Sequence, residues 1–160
     1  MTRSYLVATT CAGSLLMGLL CTPSIADEAM KLPSLKKQPS MQKVVDEHVD
    51  ALNRCDWKRL MAQYPSDVEI HLPDGVVIKG REKVGDLFAG FCKSRPDGLK
   101  GLKFTPESVF VVGNTLNVKW RAEADFLAEP YRGSDAYVTR QGLMAAQVST
   151  FDGSKLKFKP

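Results

Sequence analysis

Few side chains in this 160-residue sequence have the chemistry of a catalyst, and its two histidines come first. His48 lies among apolar residues that recur at a 3.6-residue period, which predicts a buried position on the inner face of a helix. His71 alternates with Ile70 and Leu72 in a predicted strand and should point away from them. Two histidines on separate elements, without a carboxylate at ligand spacing, do not make a metal site, so we expect neither metal nor cofactor.

Cysteine is the other reactive side chain, and the sequence contains four. Cys11 and Cys21 lie in the N-terminal segment. The remaining pair, Cys55 and Cys92, is a candidate disulfide, and a buried free thiol or a reactive one is the alternative. Cys92 is a weak candidate nucleophile because nothing around it marks an activated thiol. The sequence contains no Ser/His/Asp arrangement and no glycine-rich phosphate loop.

The N-terminal segment has the three parts of a secretory signal peptide. One basic residue precedes an almost wholly apolar or small stretch over residues 6–20, and small residues precede a cleavage position between Ala26 and Asp27. The stretch is shorter than the roughly 20 residues that span a bilayer, so after cleavage we expect no membrane anchor. A lipoprotein anchor at Cys21 is the alternative. We expect residues 1–26 to be removed and the protein to be exported, periplasmic or secreted.

Cleavage would leave about 134 residues, which is enough for one domain and too few for two. The basic residues of the chain, whose net charge is +4, are scattered without aromatic residues between them. We therefore expect no nucleic-acid partner. Residues 27–39 hold three lysines and two prolines, which predicts a flexible lead-in to a domain over residues 40–160.

The elements that must position these side chains follow from hydrophobic periodicity. Helical spacing after Ser40, Asp56 and Gly80 predicts three helices. Alternation predicts two short strands around the turn at 73–75 and four further strands over 102–112, 115–127, 136–151 and 154–159. An alternating sheet needs amphipathic helices on its apolar face. The predicted fold class is therefore α+β, with three helices packed into the concave side of a curved antiparallel sheet.

Three short motifs in this order resemble the nuclear transport factor 2-like superfamily, in particular its SnoaL-like and ketosteroid-isomerase-like members. The motifs are Ala-Leu-Asn-Arg-Cys-Asp-Trp at 51–57, Asp-Val-Glu-Ile-His-Leu-Pro-Asp-Gly at 67–75 and Gly-Arg-Glu at 80–82. The resemblance covers residues 41–158 and implies a cone-shaped fold with a pocket between sheet and helices. Members of the superfamily use this pocket for isomerisation, cyclisation, epoxide hydrolysis, dehydration, ligand binding or protein docking, so function must be argued from the site.

The isomerase branch of the superfamily uses three polar groups in an apolar cavity. By resemblance, its helix tyrosine falls on His48, its catalytic base on Leu72 and its second hydrogen-bond donor near Gln147. A leucine neither takes nor gives a proton, so the ketosteroid-type mechanism is not expected. His48 and Gln147 can still donate hydrogen bonds to a carbonyl or hydroxyl group and are the catalytic candidates. An ordinary core histidine is the alternative for His48.

Large apolar residues on the same elements are candidates for the pocket wall. As a set they suit a flat apolar or aromatic ligand, and ordinary core packing is the alternative for each of them. The candidates are Trp57, Tyr64, Leu72, Phe88, Phe91, Phe126, Trp120 and Tyr137.

Three functions fit the sequence. The first, which we favour, is an exported binder of a small apolar or aromatic molecule that needs no cofactor. The second is a SnoaL-like isomerase, cyclase or hydrolase that acts on a carbonyl or epoxide through His48. The third is an interaction module that forms a homodimer through the open face of its sheet. This face carries both basic and acidic side chains, namely Lys119, Arg121, Glu123 and Asp125. Sheet-to-sheet dimers are common in the superfamily by resemblance.

Overall fold

A computed structural model describes residues 31–160. The predicted signal peptide, its cleavage position and the first residues of the lead-in lie outside the described residues. The element order is α1 (Met41–Arg54), α2 (Trp57–Met61), β1 (Glu69–His71), β2 (Val77–Lys79), α3 (Arg81–Phe91), β3 (Lys103–Val112), β4 (Thr115–Glu123), β5 (Tyr131–Arg140) and β6 (Leu143–Ser149). Within residues 31–160, no helix has the length and apolar character needed to cross a membrane.

The six strands form one sheet in the order β2-β1-β6-β5-β4-β3. Neighbouring strands are antiparallel except for β1 and β6, which run parallel. The α+β class with three helices is confirmed, and the predicted antiparallel sheet is corrected to a mixed one. No turn joins β1 to β6, because α3 and four strands lie between them in the chain, so no hairpin forces their relative direction.

Local capping explains where the helices begin. The Ser40 side chain accepts a hydrogen bond from the Lys43 N–H at 3.2 Å, which starts α1. The Asp56 carboxylate accepts one from the Arg59 N–H at 3.1 Å, which starts α2. Such side chains satisfy N–H groups that have no partner within the helix. Gly80 precedes α3, so all three predicted helix starts are confirmed.

Two strand predictions for the C-terminal part are wrong. The strand predicted over 136–151 is two strands, because Gln141 and Gly142 form a tight turn with φ of 54° and 78°. Positive φ at both residues is typical of a two-residue hairpin turn. The strand predicted over 154–159 is a short 3₁₀ turn over Gly153–Lys155 followed by a single bridge. The Asp152 side chain accepts the Ser154 N–H at 3.1 Å and so favours the helical turn.

The described part of the predicted lead-in, residues 31–39, contains no helix or strand. Its backbone contacts the domain at several points: Lys36 N–H donates to the Ala62 carbonyl and Gln38 N–H to the Gly142 carbonyl, each at 2.8 Å. The Arg81 guanidinium also donates to the Pro33 carbonyl. The flexibility expected for residues 27–39 stays a prediction.

A disulfide joins Cys55 and Cys92, whose Cα atoms are 5.5 Å apart. Cys55 ends α1 in a left-handed conformation, and Cys92 caps the C-terminus of α3. The bond therefore ties together the ends of two helices that cover the same side of the sheet. In the chain-entropy account, closing a loop of this length stabilises the fold by roughly 3–4 kcal/mol.

Candidate functional site

A cavity of about 160 Å³ lies between the concave face of the sheet and the helices. Most of its lining is apolar and comes from both layers. Val49 and Leu52 belong to α1, Leu87 belongs to α3, and Phe104 and Val118 belong to the sheet. Such a cavity, with few polar groups in its wall, has the general character of a small-molecule site.

The polar side chains that interrupt this apolar lining include His48, Asp135, Tyr137, Gln147 and Ser149. All five are at most 8 % exposed. Asp135 pairs with Ser149, and Tyr137 with Gln147, in the register of β5 and β6. Residues two apart on a strand face the same way. The sheet therefore directs four of these side chains into the cavity, and α1 supplies the histidine.

Asp135 is a buried carboxyl group with one satisfied oxygen. Its Oδ2 accepts hydrogen bonds from Trp120 Nε1 at 2.8 Å and from the Tyr137 hydroxyl at 3.0 Å. Its Oδ1 has no partner among the described residues. Burial raises the pKa of Asp135, because the charged form is poorly solvated there, while the nearby Ser149 hydroxyl and the hydrogen bonds from Tyr137 and Trp120 oppose the shift.

His48 is fixed by a single hydrogen bond, between its Nδ1 and the Tyr64 hydroxyl at 3.1 Å. The hydroxyl makes no other hydrogen bond with the described residues, so it donates to Nδ1 and the ring proton sits on Nε2. Burial lowers the pKa of His48 to about 4, so the ring is neutral at pH 7. Its Nε2–H is then a buried donor for which residues 31–160 supply no partner.

Gln147 is the third group with unused hydrogen-bonding capacity. Its Nε2 donates to Ser149 Oγ at 3.1 Å, and its Oε1 has no partner in the described part of the chain. Buried polar groups are nearly always hydrogen-bonded, so three unpaired groups around one cavity need an explanation. Gln63 Oε1 is also unpaired, but Gln63 does not line the cavity.

The structure divides the predicted wall residues into two sets. Leu72, Phe88, Phe91, Trp120 and Tyr137 line the cavity, as do both catalytic candidates, His48 and Gln147.

The other predicted wall residues lie elsewhere. Trp57 donates its Nε1–H to the Gly85 carbonyl at 2.9 Å and so fixes α2 to α3. Tyr64 holds His48 from the side of the ring that carries Nδ1 and is not itself part of the lining. Phe126 packs near Phe158 instead. None of the three lines the cavity. Trp57 lies elsewhere because the apolar face of α2 meets a neighbouring helix instead of the cavity.

His71 lies outside the cavity, as its alternation with Leu72 predicts, and contacts Glu69 at 3.2 Å. Within residues 31–160, no cluster of three or more histidine, cysteine, aspartate or glutamate side chains is arranged to hold a metal ion.

Three helices against a curved six-stranded sheet, with a cavity between the layers, define a cone-shaped domain of the nuclear transport factor 2-like class. The family model of the SnoaL-like domain matches residues 45–149, and the chain belongs to this family. A comparison with curated proteins finds no match.

Solved structures of low sequence identity share the fold. A putative ketosteroid isomerase from Kribbella flavida is 17% identical, with a TM-score of 0.59 over 75% of this chain and 81% of that chain. A computationally designed 17-OHP binder is 19% identical, with a TM-score of 0.61 over 74% of this chain and 95% of that chain. An LEH-like epoxide hydrolase from Mycobacterium tuberculosis is 12% identical, with a TM-score of 0.58 over 72% and 85%. At these identities the likeness shows the fold alone.

Proposed function

We propose that this protein binds a small apolar or aromatic molecule that carries one hydrogen-bonding group, and that it needs no cofactor to do so. The observation that carries the proposal is the set of unpaired buried atoms around an apolar cavity: His48 Nε2, Asp135 Oδ1 and Gln147 Oε1. Leaving a buried donor or acceptor unpaired costs about 1–3 kcal/mol. A ligand hydroxyl group can pair with both kinds of atom, and a ligand carbonyl group can accept from His48 Nε2–H, so either recovers part of this cost.

The size of the cavity limits the ligand. An apolar cavity of roughly 150 Å³ binds benzene, and the cavity here has a volume of about 160 Å³. We therefore expect a ligand with one ring and few further atoms. Phenol has this size, and its hydroxyl group can both donate to Asp135 Oδ1 or Gln147 Oε1 and accept from His48 Nε2–H.

Phenol is expected to bind more tightly than benzene, by about tenfold for each 1.4 kcal/mol that its hydrogen bonds contribute. Isothermal titration calorimetry with the two compounds measures this difference. The variant Val49→Phe fills part of the cavity from α1 and should weaken the binding of both. Val148→Phe is the matched control, because Val148 is 38% exposed and does not line the cavity. Equal affinity for both compounds, or unchanged binding by Val49→Phe, contradicts the proposed site.

A second candidate is a SnoaL-like enzyme, and Asp135 is the observation that favours it. Leu72 occupies the expected position of the base, but Asp135 brings a carboxyl group with a raised pKa into the same cavity. Raised carboxyl pKa values suit general acid–base catalysis near neutral pH. His48 would serve as a hydrogen-bond donor and not as the proton carrier, because its pKa is about 4.

We also propose that the protein is exported and acts without its first 26 residues. The signal-like sequence supports this, and so does the disulfide, since disulfides persist in oxidising compartments. Protein recovered from the periplasm or medium should begin at Asp27 by intact mass and gain two hydrogen atoms on reduction. Reduction should also lower its free energy of unfolding by roughly 3–4 kcal/mol. The variant Cys55→Ser with Cys92→Ser is the control, because reductant should not change it. An uncleaved chain contradicts export, and an unchanged mass on reduction contradicts the bond.

A further inference from the structure

The strand β3 lies at one edge of the sheet and, among the described residues, pairs only with β4. Its last four residues, Val109–Val112, are apolar and between 40% and 65% exposed. A sheet edge offers unpaired N–H and C=O groups to another strand, and proteins usually protect such edges with proline, charge, a bulge or a covering element. A run of four exposed apolar residues at an edge is therefore unusual.

The first half of this edge carries those protections. The Asn53 side chain accepts the Phe104 N–H at 2.7 Å and donates to the Phe104 carbonyl at 2.9 Å. Pro106 has no N–H, and the register shifts between Pro106 and Ser108 at a bulge. Beyond Ser108 the described residues supply no such protection, and the segment from Ser108 to Val112 has no charged side chain.

The register determines which backbone groups point outward. Val112 and Thr115 flank a two-residue turn, so they exchange hydrogen bonds with each other. Hydrogen-bonded and non-hydrogen-bonded residue pairs alternate along an antiparallel ladder. Phe110, two residues before Val112, is therefore also hydrogen-bonded to β4. Val109 and Val111 lie between these pairs and direct their N–H and C=O groups away from β4. The described residues form no other backbone hydrogen bond to these four groups.

We propose that a second copy of this chain pairs with this edge, antiparallel, so that the two sheets become one continuous sheet. In this register Val109 lies opposite Val111 of the second copy, and Phe110 lies opposite Phe110 of the second copy. Since Val109 and Val111 both direct their backbone groups outward, the pairing makes four N–H···O=C bonds. The two Phe110 residues form a non-hydrogen-bonded pair, in which side chains lie close together, so their rings contact each other.

Self-complementarity favours a second copy over another partner. The only register that uses all four outward groups of both strands is centred on Phe110, which places the two-fold axis there. No like charges come to lie opposite each other. The nearest charged residue, Glu107, falls opposite Gly113 of the second copy and is already held by Arg121 and Arg132, each at 3.3 Å. This edge differs from the open sheet face, which was the dimer surface expected from the sequence.

Sedimentation velocity over a wide concentration range, on protein purified after expression of the full sequence, tests the proposal. The proposed interface consists of one short strand segment from each copy. Because interfaces that bury less than about 1,200 Å² are weak, we expect a weak, reversible dimer. Val111→Pro removes an outward N–H and leaves the ladder to β4 intact, and it should raise the dissociation constant by about tenfold or more. Val109→Lys places a charge at the same edge and should have the same effect. Far-ultraviolet circular dichroism verifies that each variant is folded.

The matched control is Val148→Lys on the open sheet face, which should leave the edge dimer unchanged. Hydrogen exchange adds a second readout, because the Val109 and Val111 amides should exchange more slowly in the dimer than in the monomer. A protein that stays monomeric overturns the proposal, as does a dimer that Val148→Lys dissociates while Val109→Lys does not. No residue from 108 to 112 lines the cavity, so the ligand proposal stands or falls separately.

Discussion

A Gly133→Val variant should lose about 3 kcal/mol or more of its free energy of unfolding. Gly133 lies opposite Trp120 in the register of β4 and β5. A Cβ atom added at Gly133 would come within 2.5 Å of the Trp120 ring and 3.0 Å of Phe151 Cβ. The indole would have to move, and overpacking of a dense core costs about 1–3 kcal/mol. Losing the buried contacts of a tryptophan adds to this, since Trp→Ala changes in cores cost about 3–5 kcal/mol.

The same variant should impair the cavity, because Trp120 lines it and donates its Nε1–H to Asp135. Urea denaturation measures the stability, and calorimetry with phenol measures the binding. Gly153→Ala is the matched control, since no atom lies within 4 Å of a Cβ added there. It should change stability by less than about 0.5 kcal/mol. A Gly133→Val protein of normal stability and phenol affinity would contradict the packing of Trp120 against Gly133.

The helices could be predicted from the sequence because their signals are local. Ser40 and Asp56 are capping side chains that act on N–H groups three residues away, and both act as expected. The burial of His48 follows from its position in a 3.6-residue apolar pattern. The parallel pairing of β1 with β6 has no local signal, because it joins segments that lie far apart in the chain.

The candidate site was predictable only in part. Leu72 and Trp120 line the cavity because alternation along a strand assigns a face to each residue. Asp135 was missed because the predicted strand began at Ala136, which left the aspartate in a loop. Its alternation with Tyr137 was the available signal, and extending the strand by one residue would have placed Asp135 on the inner face. Trp57 was misplaced because the packing of α2 against α3 cannot be read from the periodicity of either helix.

Replacing Asp135 by asparagine should make the protein more stable at neutral pH relative to the wild type. Burial raises the pKa of Asp135 in the folded state. Its contribution to stability is therefore fully present below the unfolded pKa of about 3.9 and is lost as pH rises through the folded pKa. Asparagine cannot ionise and keeps an oxygen that can accept from Trp120 and Tyr137. The stability advantage of the variant should grow as pH rises from the unfolded pKa to the folded pKa. Its total should be about 1.4 kcal/mol for each unit by which the pKa is raised.

Urea denaturation of wild type and Asp135→Asn at several pH values between 4 and 8 measures this difference. His48, whose pKa is lowered to about 4, destabilises both proteins as pH falls below its unfolded value of about 6.5, so its effect cancels in the comparison. Asp152→Asn is a control of opposite sign, because hydrogen bonds from Ser154 lower the pKa of Asp152. That variant should be less stable than wild type at neutral pH. A difference for Asp135→Asn that is independent of pH would show that the carboxyl group titrates normally.

The Asp135→Asn variant also separates the two candidate functions. Asp135 is the one carboxyl group among the cavity-lining residues of the described chain, so an enzyme that moves a proton there should depend on it. Loss of general acid–base catalysis typically costs about 10²–10⁴-fold in rate. The probe is 3-cyclohexen-1-one, a one-ring ketone whose isomerisation to the conjugated enone is followed by ultraviolet absorbance. Turnover by wild type that Asp135→Asn abolishes, while the variant still binds phenol, would support the enzyme. Phenol binding without turnover in either protein would support the binder, because a site that stabilises a bound hydroxyl group does not need a titrating carboxyl to do so.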